Sequence, residues 1–199
     1  MGLSKEDILN IMKKNNGILT SSMLDSYNIS SKKMQRMAQV GEVERPEKGL
    51  YLHPDFLEDE FYITGYRVPK GVFSHESSLY LHKLSDENPT LLTLTIPSGW
   101  NSPLLKNKEK YTFFYLKKNL WELGQEKIKT PYGNTVLVYS KERTLAEMIG
   151  KMDKSDRSLV LQALRLGLKN NLLDRALLLD YAEYFKSRTL TRTYLEAIE

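Results

Sequence analysis

Ser30-Ser31-Lys32-Lys33-Met34-Gln35-Arg36-Met37-Ala38-Gln39-Val40 is the stretch on which the reading of the N-terminal third turns. At 100° per residue, Met34, Met37 and Ala38 share one face of a helix, and Lys32, Arg36 and Gln39 lie opposite, with Lys33 and Gln35 flanking them. Ser30 stands where a helix cap belongs and Gly41 where a helix stops. No acid occurs between Ser26 and Gly41. The segment therefore predicts a short amphipathic helix with methionines inward and a basic, amide-bearing face outward.

Upstream, Ser4 followed by Lys5-Glu6-Asp7 predicts a helix start, with Ile8, Ile11 and Met12 at helical spacing and a stop at Asn15-Asn16-Gly17. Ile18-Leu19 reads as a short extended piece. Thr20 is expected to cap a second helix whose inner face is Met23, Leu24 and Tyr27, ending in a tight turn at Asn28-Ile29. Downstream, Val43-Glu44-Arg45, the turn Pro46-Glu47-Lys48-Gly49, and Leu50-Tyr51-Leu52 predict a hairpin. Helix, short strand, helix, turn, helix, hairpin is the order of a winged helix-turn-helix.

His53-Pro54-Asp55 marks a boundary, so the chain divides into residues 1–56 and 57–199. The second part reads as mixed α and β. A helix is expected over 75–84 behind Ser74, strands over 92–96 and 111–116, and a hairpin around Pro131-Tyr132-Gly133-Asn134. Helices are expected over 141–151, 155–170, 173–186 and 191–198. The fold class is α+β: an N-terminal winged helix-turn-helix, then a mixed α/β domain ending in a helical layer.

With 41% hydrophobic and 27% charged residues, the chain has the composition of a globular protein with a real core. It has no cysteine, which excludes disulfides and thiolate metal sites. No apolar run approaches the ~18 residues of a membrane span. The start, Met1-Gly2-Leu3-Ser4-Lys5, lacks the apolar centre of a secretory leader, so a cytoplasmic protein with no membrane partner is expected. The net charge is +4. Positive charge gathers in the third helix and again over 101–129, where seven lysines face Glu109, Glu122 and Glu126.

Lys, Arg and Gln on one exposed helix face suit the major groove of double-stranded DNA. Arg and Lys donate to guanine O6 and N7, and Gln pairs bidentately with adenine. Residues near the helix start usually reach base edges. The expected contacts are Ser31, Lys32, Gln35 and Arg36, with Gln39 further along, and with Arg45 and Lys48 on the wing. Lys106, Lys108, Lys110, Lys117 and Lys118 form a second set, read either as phosphate contacts that fix register or as a strand edge guarded by lysine.

Catalysis finds little support. His75-Glu76 with His82 places the second histidine seven positions on, roughly 10 Å along a helix axis, which one metal ion cannot bridge. No Gly-rich phosphate loop or marked nucleophile appears. No enzyme activity, catalytic residue, metal or cofactor is expected.

Gly71-Val72-Phe73-Ser74-His75-Glu76-Ser77-Ser78-Leu79-Tyr80-Leu81-His82 resembles the signature of the AbiEi family of bacterial antitoxin regulators. Val138-Tyr139-Ser140-Lys141-Glu142-Arg143-Thr144-Leu145-Ala146-Glu147-Met148-Ile149 is similar to a second piece of it, and the N-terminal pattern through Gly49-Leu50-Tyr51 fits the family's winged helix. The resemblance implies a transcriptional repressor that binds inverted repeats in its own promoter. It also implies an antitoxin of a type IV toxin–antitoxin system in abortive infection against phage, an antiviral defence. On the same resemblance, the co-encoded toxin, AbiEii, is expected to be nucleotidyltransferase-like and to be neutralised without a stable complex. By position, the resemblance carries DNA reading to Lys32, Lys33, Gln35 and Arg36, and wing contacts to Arg45 and Lys48. The chain is expected to be a monomer in solution, paired on DNA. The alternative is an antitoxin that binds its toxin directly, for which the apolar run around Leu177, Leu178, Leu179 and Tyr181 is either a docking face or a buried seam.

Overall fold

The computed structural model describes residues 3–101, 103–153 and 155–198. Met1 and Gly2 lie outside them. Among the described residues the chain is mixed α and β, with ten α-helices and two sheets. It divides into two compact units, Met1–Thr64 with Thr130–Asn134, and Gly65–Lys129 with Thr135–Glu199.

In the first unit, Ser4 begins α1 (Lys5–Lys14) with a reciprocal capping box. The Asp7 amide donates to Ser4 Oγ at 3.1 Å and the Ser4 amide donates to the Asp7 carboxylate at 2.9 Å. β1 (Ile18–Thr20), α2 (Ser21–Ser26), α3 (Ser31–Gln39), β2 (Glu44–Glu47) and β3 (Leu50–Leu52) follow. The strands form an antiparallel sheet in the order β1-β3-β2. Thr20 and Ser30 do occupy helix-cap positions with extended backbone, but neither hydroxyl takes a cap hydrogen bond. The Thr20 hydroxyl pairs instead with that of Ser22 at 2.9 Å.

The three helices meet on one core containing Ile8, Met12, Leu19, Leu24, Met34 and Met37. Ile18, Leu50 and Leu52 pack on Ile63 and Phe56 in a second cluster. The chain turns into β1 at Gly17 with φ +78, where an added Cβ would stand 2.3 Å from the Phe56 ring, so glycine alone fits both the backbone and the space. Asp59, fully buried, starts α4 (Glu60–Arg67) by accepting from the Tyr62 amide at 3.1 Å. Its second oxygen accepts from the Thr130 hydroxyl and, at 2.8 Å, from the Asn134 side chain.

The second unit holds β4 (Val72–Phe73), α5 (His75–Leu81), β5 (Leu92–Pro97), β6 (Tyr111–Leu116), α6 (Lys118–Glu122), β7 (Gln125–Lys129) and β8 (Thr135–Tyr139). Its sheet runs β6-β5-β4-β8-β7, parallel at β5–β6 and β4–β8 and antiparallel elsewhere. α7 (Lys141–Gly150), α8 (Arg157–Lys169), α9 (Arg175–Tyr184) and α10 (Arg188–Ile198) complete it. Leu79, Leu145, Met148, Leu164, Leu178 and Leu195 bring α5 and these four helices into one apolar cluster.

Three expectations need correction. The helix expected over 75–84 ends at Leu81, because Lys83 has φ 58 and leaves the helical region. Ser74 sits at its cap position without a side-chain cap bond. The apolar run of α9 is neither wholly seam nor wholly face: Leu178 and Ala182 are buried, while Leu177 and Tyr184 are exposed.

Candidate functional site

α3 separates its faces as its spacing demands. Met34 and Met37 are buried, and Ser31, Lys32, Gln35, Arg36 and Gln39 are exposed. Of the exposed residues, Lys32, Gln35, Arg36 and Gln39 line an open groove of about 900 Å³ together with Lys5 and Glu42, whose side chains form an ion pair at 2.9 Å, and Ser31 lies outside its lining. Lys5, on the first turn of α1, was not singled out from sequence. Its signal there is weak, because Glu6 and Asp7 beside it make the helix start look acidic.

Lys33 borders the same groove, but its ammonium donates to the Leu3 carbonyl. It also contributes to the low pKa of Asp7, which the Ser4 hydroxyl and amide lower first. Lys33 is half-buried and turned to the start of α1, apart from the outward set of Lys32, Gln35, Arg36 and Gln39.

The hairpin places its two basic residues outward. Arg45 on β2 is exposed, with its guanidinium 5.8 Å from the Tyr51 ring centre. Lys48 is exposed in the turn, which Gly49 closes with φ 81. Pro46 falls where the β2–β3 register shifts, as a residue without an N–H to donate must.

The second lysine set lies in the second unit around β6, an edge strand of its sheet. Lys106, Lys108, Lys117 and Lys118 are exposed and Lys110 is half-buried. Lys118 is 3.7 Å from Glu122. This placement suits either of the two roles expected for the set.

The two strings that carry the family resemblance meet inside the second unit. Ser78 Oγ shares a hydrogen bond with Thr144 Oγ1 at 2.7 Å and donates to the Tyr139 carbonyl at 3.1 Å. His82 Nε2 lies 2.8 Å from the same carbonyl and 3.4 Å from Glu126. α7 is buried without interruption from Glu142 to Ile149. Within it Arg143 pairs with Glu147, sits 3.4 Å over the Tyr139 ring, and donates to the Leu123 carbonyl at 3.1 Å. Burial alone would raise the pKa of Glu147, but Arg143 first, then His75 and Lys151, hold it below the usual value.

His75 departs furthest from ordinary chemistry. It is 3% exposed and has φ 47, a left-handed conformation that costs a non-glycine residue about 1–3 kcal/mol. Burial pushes its pKa down to about 4, with Lys151 and Arg143 acting in the same direction and Glu147 against. Its ring stacks on Phe114 at 3.7 Å, and Nε2 has no partner among the described residues. Among the described residues no group of three or more His, Cys, Asp or Glu is placed to hold a metal ion.

Among the described residues no helix is long and apolar enough to cross a membrane. No family model and no curated protein matches the chain. Three chains of solved structures match. One is the RV2827C protein from Mycobacterium tuberculosis, at 8% identity and a TM-score of 0.43 over 95% of this chain and 79% of that one.

Proposed function

We propose that the first unit is a winged helix-turn-helix and that the chain is a DNA-binding autorepressor with antitoxin activity, of the AbiEi kind. One observation carries this reading: α3 is anchored by Met34 and Met37 and presents Lys32, Gln35, Arg36 and Gln39 outward along an open groove. Those side chains match the donor and acceptor pattern of base edges. Arg45 and Lys48 on the β2–β3 hairpin act as wing contacts to phosphate, and the lysines around β6 as further phosphate contacts. The DNA partner is an inverted repeat in the chain's own promoter, occupied by two monomers. The nucleotidyltransferase-like toxin is countered without a stable complex, and the chain itself performs no reaction.

The test is binding to DNA from upstream of its own coding region, followed by footprinting and by fluorescence anisotropy. Lys32→Ala with Arg36→Ala lowers affinity about a hundredfold or more, since each base contact is worth ~1–3 kcal/mol. The double variant keeps its melting temperature, because both side chains are exposed. Wild-type affinity in a folded double variant overturns the assignment.

A second reading rests on the exposed Leu177 and Tyr184 of α9, which suit direct docking of the toxin. Co-purification of the two proteins at a fixed ratio supports it.

A further inference from the structure

Lys5 stands in the first turn of α1 and Glu42 follows α3, and their side chains pair at 2.9 Å across 37 positions of sequence. Both line the groove that Lys32, Gln35, Arg36 and Gln39 share. Neither belongs to the core. The Lys5 side chain is 51% exposed and that of Glu42 30%, so water screens the pair and it adds little to stability. The cap of α1 makes no use of it, since Ser4 and Asp7 bond to one another.

Two features of the pair run against what the fold alone favours. A cation in the first turn of a helix opposes the helix dipole, which favours acids there. Glu6 and Asp7 follow that preference and Lys5 does not. Glu42, for its part, brings a carboxylate into a groove whose other charged side chains, Lys5, Lys32, Lys33 and Arg36, are cations. On a face that approaches phosphate, an acid weakens the approach. Departures from local preference with little return in stability are expected at functional surfaces.

We propose that Lys5 is a phosphate contact of the DNA-bound state and that Glu42 is its competitor, holding the ammonium in the free protein and yielding it to the duplex backbone. The inference rests on DNA reading by α3. The start of α1 lies beside α3, where Lys33 donates to the Leu3 carbonyl, so a duplex seated on α3 passes its backbone along this flank. An exposed pair is easily exchanged there, because the duplex offers one negative charge per ~1.7 Å of its axis against the single carboxylate of Glu42. A phosphate contact is blind to sequence, so Glu42 lowers affinity for every duplex by a similar factor.

The test is a double-variant cycle on the full chain with two duplexes, the DNA from upstream of its own coding region and a scrambled sequence of equal length. Affinity is read by anisotropy over a range of salt, and thermal melts confirm folding. Glu42→Gln binds both duplexes about threefold tighter. Lys5→Ala on the Glu42→Gln background lowers affinity for both by about threefold or more and reduces the salt slope by ~0.9. Glu42→Ala serves in its place if Glu42→Gln fails to fold. A Lys5 that only neutralises Glu42 has nothing left to do once Glu42 is gone. Lys5→Ala without effect on that background therefore overturns the proposal, as does Glu42→Gln that binds no tighter. Lys32→Ala with Arg36→Ala separates this failure from that of the underlying reading. Loss of binding in that double variant beside a silent Lys5 sinks the role of Lys5 alone. Wild-type affinity in it, or no binding of either duplex by the wild type, overturns both.

Discussion

The ammonium of Lys33 donates to the backbone carbonyl of Leu3, a hydrogen bond that spans 30 positions of sequence and ties α3 to the start of α1. A lysine committed in this way is poorly placed to read a base. Lys32, one position earlier, is exposed. On the proposed reading, Lys33→Met therefore lowers stability by about 1 kcal/mol and changes operator affinity by less than about threefold. Lys32→Met, losing a base or phosphate contact, costs about tenfold. Thermal melts and anisotropy titrations on the same preparations separate the two. Equal losses of affinity would show that Lys33 leaves Leu3 on binding.

The wing offers a different signature. Arg45 and Lys48 are exposed on or beside β2, and as phosphate contacts they are blind to sequence. Arg45→Ala or Lys48→Ala should each reduce the slope of log affinity against log salt by ~0.9. Neither changes the ratio between operator and scrambled DNA. A slope that stays put in both variants removes the hairpin from the interface.

The parts of the fold that sequence made plain are those whose signals are local. Ser4 with Asp7 three positions on, methionines at helical spacing in 31–39, and glycines at 41 and 49 each act within a few residues. The features that escaped notice, β4 and the burial of α7, depend on distant partners. β4 is two residues long and exists because Val72 and Phe73 pair with Thr95, Leu94 and Val138. α7 reads as an ordinary amphipathic helix, since Glu142, Arg143 and Glu147 suggest a wet face. All three are buried: Tyr139 and Phe185 lie against Arg143, which pairs with Glu147, and the Asp174 amide donates to Glu142, contacts that no local pattern announces. The outward face of α3 was legible for the same reason as the caps. The commitment of Lys33 to Leu3 and the left-handed backbone of His75 were not, since both are set by tertiary packing.

Arg143 and Glu147 make a buried pair whose members depend on each other. Arg143→Met leaves the Glu147 carboxylate with Lys151 alone and strips donors from the Leu120 and Leu123 carbonyls. The expected loss is about 3–5 kcal/mol by urea unfolding. Combining it with Glu147→Leu should recover most of that, because two apolar side chains bury no unpaired charge. A double variant as unstable as the single one would mean that Arg143 acts mainly through the loop carbonyls.

His75 gives the second unit a stability that depends on pH, and the sign is definite. Its pKa falls from 6.5 in the unfolded chain to about 4 in the fold, so the unfolded chain binds the extra proton first. The stabilisation is complete above pH 6.5 and is lost progressively as pH falls to 4, by about 3 kcal/mol in all. Burial also holds His53 and His82 below their ordinary value, so the wild-type loss sums three contributions of one sign. His75→Phe keeps the ring on Phe114 and cannot take a proton. The difference between its stability and that of the wild type should therefore widen by about 3 kcal/mol between pH 7 and pH 4, in the variant's favour. The Glu147 contribution, whose pKa lies below 4.5, enters only at the acid end of that window. Parallel curves for the two proteins would mean that His75 meets solvent or a proton acceptor in the fold, and that its burial has no energetic consequence.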